Sequence, residues 1–215
     1  MDDKTLRQDV VDELDFEPSI DSAQIGVAVR DGIVTLSGHV TDFAQKSAAE
    51  AAVRRVRGVR GIAEEIKVDL HGTSPYSDDD IAERALTVLD LSVLIPPDTI
   101  QVQAEHGWLT LSGEVDWDYQ RTAAIDDLRK LRGVVGISNN IRIRPRPAVA
   151  DVQRRIEAAL KRSAAIQASH VQVTAHAGDV KLEGRVGSWA DRYAIEKAAW
   201  SVPGVRAVHD HTHVG

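Results

Sequence analysis

One ten-residue stretch returns twice, and that limits what this chain can fold into more than any other feature. Asp31-Gly32-Ile33-Val34-Thr35-Leu36-Ser37-Gly38-His39-Val40 comes back as His106-Gly107-Trp108-Leu109-Thr110-Leu111-Ser112-Gly113-Glu114-Val115. It comes back again as Ala177-Gly178-Asp179-Val180-Lys181-Leu182-Glu183-Gly184-Arg185-Val186. The second copy lies 75 residues after the first and the third a further 71. Repetition at this period means one supersecondary unit built three times.

In the first copy, Leu6, Val10 and Leu14 recur every fourth residue and share one helical face. Asp2, Asp3 and Thr5 suit the start of that helix, and Phe16-Glu17-Pro18 ends it, because proline cannot continue a helix. Ile25, Val27 and Val29 alternate with small residues, as in a strand. Asp31-Gly32 tolerates positive φ and predicts a tight hairpin, so Val34, Leu36 and Gly38 lie on an antiparallel second strand. A second helix is expected from Asp42 to Arg57, burying Ala48, Ala49, Ala52, Val53 and Val56 and stopping at Gly58. Ile62, Glu64, Ile66 and Val68 line one side of a last strand. A helix joins the second and third strands, so these two run parallel.

The other copies repeat this register. Ile81, Ala85 and Leu89, then Val152, Ile156 and Leu160, take the first-helix positions. Gly113 and Gly184 take the position of Gly38, and Gly133 and Gly204 that of Gly58. The fold class is therefore α+β: three tandem α-β-β-α-β modules, each a small three-stranded mixed sheet with two helices on one face. The modules are expected at 1–70, 76–144 and 148–215, each about 65 residues and near the lower limit for an independent core. The linker around Gly72 and Pro75 should flex, whereas Arg144-Pro145-Arg146-Pro147 should be short and extended.

The pattern of Val-Thr-Leu-Ser-Gly-x-Val, an alanine-rich helix, then Gly-Val-x-x-Val resembles the BON domain, in three tandem copies. Gly38 and Gly113 each sit in a full Leu-Ser-Gly, whereas the third copy has Leu182-Glu183-Gly184 and places Pro203 before Gly204. The resemblance implies a non-catalytic binding or scaffold module. It also implies a link to osmotic stress and the cell envelope, and contact with a protein partner or an anionic phospholipid surface. Some cytoplasmic relatives bind potassium, so the alternative is a cytoplasmic potassium or metal ion-binding sensor.

Composition narrows the chemistry. Nine cations against fourteen acids give −5 for residues 1–72, eight against twelve give −4 for 73–146, and nine against seven give +2 for 147–215. So acidic a surface repels phosphate backbones and argues against nucleic acid. Cysteine is absent, which removes disulfides and thiolate chemistry. No nucleophile, Walker or zinc-protease motif occurs, and neither an enzyme nor a cofactor is expected. The acidic start, with no basic and apolar leader, reads as cytoplasmic, with a peripheral place at the inner membrane for a lipid-binding form.

Candidate sites are sought where the copies differ. Trp117, Tyr119 and Trp189 fall, with Phe43, near the turn into the second helix, and Trp200 lies on the third copy's second helix. Exposed aromatics there suit a membrane interface or a protein contact; covered ones lie over a neighbouring module. Lys161, Arg162, Arg192 and Lys197 add charge to the third copy, making it the candidate lipid- or partner-facing module. His209, His211 and His213 alternate on the last strand and share one face. Neighbours at i and i+2 lie about 7 Å apart, so two imidazoles are within reach of zinc, nickel or copper. Arg54-Arg55 and Arg129-Lys130 fall at second-helix ends, where cations favour the helix dipole.

Overall fold

The structure is a computed structural model describing residues 2–69, 76–144, 151–162 and 171–214. Most of the residues read as linkers lie outside the described residues. In the first module, helix α1 (Asp3–Phe16) buries Leu6, Val10 and Leu14. Asp2 caps it by accepting the Thr5 N–H at 2.8 Å. Strands β1 (Ile25–Arg30) and β2 (Ile33–Val40) pair antiparallel, with Arg30 opposite Ile33. The two residues between them, Asp31 and Gly32, both have positive φ (52° and 76°), the signature of the tight turn that matches strand twist.

Helix α2 (Phe43–Arg55) follows, capped by Asp42. It is shorter than the expected 42–57, because Val56 is already extended and Gly58 turns the chain with φ 91°. Ala49, Ala52 and Val53 are fully buried; Ala48 and Val56, at the edge of the stripe, are only half-buried. Strand β3 (Gly61–Val68) then lies parallel to β2, with Val34 opposite Ile62.

The second module repeats the order with α3 (Asp78–Leu91), β4 (Ile100–Glu105), β5 (Trp108–Val115), α4 (Asp118–Leu128) and β6 (Gly136–Ile143). The third has α5 (Val152–Arg162), β7 (Val171–His176), β8 (Asp179–Val186), α6 (Trp189–Trp200) and β9 (Ala207–Val214). Each sheet has three strands in sequence order. Each module has its own core, with Leu36, Leu111 and Leu182 fully buried at one repeat position. A fully buried leucine contributes roughly 1.5–3 kcal/mol over an exposed one.

Two glycines per module lock the fold together. Gly38 has φ 125°, and a Cβ there would stand 2.0 Å from the Gln24 carbonyl oxygen. The hairpin turn also docks on the loop holding the second glycine: the Arg60, Val135 and Arg206 N–H groups donate to the Gly32, Gly107 and Gly178 carbonyls at 2.8, 2.9 and 2.9 Å. Among the described residues no helix is long and apolar enough to cross a membrane.

The modules touch one another in a consistent sense. Phe43, at the start of α2, packs against the core of the second module. Trp117, at the start of α4, lies beside Trp200, Gly204 and Val205 of the third. Trp189, at the start of α6, packs against the core of the first. The contacts run first to second, second to third, third to first, and close a cycle.

Candidate functional site

A half-buried ion pair ties the second helix to the last strand in the outer modules. Lys46 Nζ lies 2.7 Å from Glu64 Oε2, and Arg192 Nε lies 2.7 Å from Asp210 Oδ2. Burial would raise the Asp210 carboxyl, but hydrogen bonds from Thr212 and Arg192 outweigh it and hold the group below its ordinary 3.8. Arg121 and Asn139 occupy the same two positions in the second module. The strand residue keeps its local task, since Asn139 Oδ1 still accepts the Ile141 N–H at 3.1 Å. It has no charge to hold the arginine. Arg121 turns instead to Asp118 and lays its guanidinium 4.7 Å from the Trp200 ring centre.

At this departure from the repeat, the second and third modules enclose an open groove of about 910 Å³. Trp117 and Tyr119 come from one side, Tyr193 and Trp200 from the other. Both tyrosines are more than half exposed, at 53% and 55%. Trp117 is set by Gln120, a buried residue whose Oε1 accepts the N–H groups of Asp116 and Trp117 at 2.9 and 3.0 Å. Asp118, Asp126, Asp127 and Glu196 bring four carboxylates to the lining, against Arg121 and Lys197.

The residues selected from sequence thus divide three ways. Trp117, Tyr119, Lys197 and Trp200 meet in this groove. Trp189 and Arg192 lie at the contact of the third module with the first, where the Arg54 and Arg192 guanidinium groups stand 5.6 and 5.0 Å from the Trp189 ring centre. Lys161 and Arg162 stand exposed at the end of α5, away from both. Tyr193, Arg121, Asn139, Asp127 and Glu196 were missed. The available signal was the loss of the acid at 139, where the other copies keep one opposite the cation of the second helix.

His209, His211 and His213 do share the open face of β9, opposite Lys181, Glu183 and Arg185. Two of those neighbours are cations, which oppose a bound metal. Among the described residues no group of three or more histidine or carboxylate side chains is placed to hold one. The helix-end arginines are engaged in structure: Arg55 reaches Glu13 and Glu17 at 2.8 and 3.3 Å, and Arg129 reaches Asp126 at 2.7 Å.

Three small modules with this topology and these paired glycines define a tandem-repeat α+β protein. The BON domain family matches at residues 2–69, 77–145 and 148–215, and the chain belongs to that family. It is similar to the Osmotically-inducible protein Y of Escherichia coli (strain K12), 28% identical over 150 residues covering 66% of this chain and 73% of that protein. Two solved structures of CdsD, a structural protein of the type III secretion system of Chlamydia trachomatis, align at 19% and 17% identity. They cover 97% and 100% of this chain and 91% and 100% of theirs, with TM-scores of 0.26 and 0.27.

Proposed function

We infer that this chain is a non-catalytic adaptor in which three BON modules form one unit and present the groove between the second and third to a protein partner. One observation carries the reading: aromatic residues from two modules converge where the repeat's internal ion pair is absent. Substitutions at a repeat position that release an arginine toward a neighbour build a surface, whereas catalysis needs a nucleophile and a base in reach of each other. The link to osmotic stress is supported by the similarity to the osmotically inducible relative. The test is a photo-crosslinking amino acid at Tyr193 or, as a control, at Thr35 on the first module's open sheet face. After a salt upshift, a discrete protein adduct is expected from position 193 alone. Equal adducts from both positions would sink the reading.

A second reading, contact with anionic phospholipid, is supported by a different observation. Lys161 and Arg162 stand exposed at repeat positions where the other copies carry Asp15-Phe16 and Asp90-Leu91, with Phe16 83% and Leu91 78% exposed. Cations and apolar tips are what an anionic interface takes up. Flotation with phosphatidylglycerol but not phosphatidylcholine vesicles, abolished by Lys161→Ala with Arg162→Ala, is the expected result. Equal flotation with both lipids counts against it.

A further inference from the structure

The charges in the groove are unevenly satisfied. Asp118 is paired with Arg121, and Asp126 with Arg129. Asp127 and Glu196, one from each module, accept only from neutral donors among the described residues. These are the Ser92 hydroxyl at 3.0 Å and the Trp200 indole N–H at 3.4 Å. A neutral donor leaves most of a carboxylate's charge uncompensated. Lys197, the other cation of the lining, is exposed and offsets one charge of the two.

Along the same groove stand Tyr193, one helical turn before Glu196, and Tyr119, near the opposite end of α4 from Asp127, both with rings more than half exposed. The face of a tyrosine ring attracts a cation. Arginine is the group that uses both features together, since its planar guanidinium stacks on a ring while its edge donates to a carboxylate. The chain already makes this arrangement once within itself, where Arg121 lies over Trp200 and pairs with Asp118. A groove of about 910 Å³ lies within the range that admits several side chains.

The geometry points to a cationic peptide segment of a partner protein as the occupant of this groove, its arginines or lysines stacked on Tyr119 and Tyr193 and met by Asp127 and Glu196. This rests on the groove being the partner site. An anionic headgroup is opposed by the same two carboxylates. A purely apolar segment would bury them without a counter-charge, at high cost.

The test uses the full chain and a fluorescein-labelled, amidated peptide of alternating arginine and leucine, followed by anisotropy at physiological salt. The same peptide with citrulline for arginine keeps shape and removes charge. It is expected to bind at least about tenfold more weakly, a difference of about 1.4 kcal/mol. Two groove variants, Asp127→Asn with Glu196→Gln and Tyr119→Ala with Tyr193→Ala, should each weaken the arginine peptide by about tenfold or more. Glu65→Gln with Glu105→Gln removes the same charge from open sheet faces and should leave affinity within about twofold. Circular dichroism melts establish that each variant is folded. The inference is overturned if the arginine peptide fails to bind, if citrulline binds equally, or if the sheet-face variant loses as much as the groove variant. Phosphatidylglycerol vesicles that bind and are released by the tyrosine variant would overturn it in favour of lipid. If position 193 crosslinks a protein but the peptides are not discriminated, the cationic occupant alone falls. If nothing crosslinks there, the partner site falls with it.

Discussion

Gly113 shows how little freedom some single positions have. Its φ is 131°, and a Cβ would stand 2.1 Å from the Thr99 carbonyl oxygen. Gly113→Ala is therefore expected to cost about 2 kcal/mol or more, read as a lower urea midpoint. Gly26→Ala, whose Cβ would meet the movable Ser37 hydroxyl at 3.0 Å and the Ser37 carbonyl oxygen at an ordinary 3.6 Å, should cost far less. Asp78 carries a second residue-scale prediction. Its carboxylate accepts the Gly107 and His106 N–H groups at 2.9 and 2.8 Å, tying the start of α3 to the hairpin turn. Those bonds hold its pKa below the ordinary 3.8. The stabilisation is present above the unfolded-state value and is lost as pH falls through the folded one. Thermal melts of Asp78→Asn should lie below those of the natural chain at neutral pH, and the gap should close in acid. The glycines were legible because they recur three times with no other local explanation. Asp3 makes the same pair of bonds to Asp31 and Gly32. This role was not legible, because an aspartate at a helix start is already accounted for by the helix dipole.

Among elements, the link between second helix and last strand separates the copies. Two modules hold it by an ion pair, and the second replaces the acid with Asn139. Restoring the acid by Asn139→Asp should recapture Arg121 and draw it off Trp200. The expected sign is a shift of the Trp200 indole N–H resonance matching that caused by Arg121→Ala. An unmoved resonance would show that Arg121 is held by Asp118 alone. The contact at stake is worth about 0.5–2 kcal/mol. Element order, parallel pairing and core positions were all readable from periodicity, because burial on one face leaves its mark every second or every 3.6 residues. The groove was readable only in part. Trp117, Tyr119, Lys197 and Trp200 stood out as departures, but nothing in the spacing says that two modules bring them together.

On the scale of the whole molecule, the three contacts made from the second-helix ends close a cycle, and Trp189 holds the last of them. Trp189→Ala should leave each module's secondary structure intact and remove about 1–2 kcal/mol from the contact with the first module. Small-angle scattering should then show a larger radius of gyration at unchanged circular dichroism. An unchanged radius would mean that the packing of α2 against α6 suffices without the indole.

The Trp189 contact differs from the other two in one respect: no linker runs directly between the modules it joins. It works as a clasp. Because its halves are tethered through the rest of the chain, their meeting is intramolecular, so a contact too weak to hold two separate proteins can still keep the necklace fastened. Stretched from its ends, the molecule should give way there first, unfastening before any module unfolds.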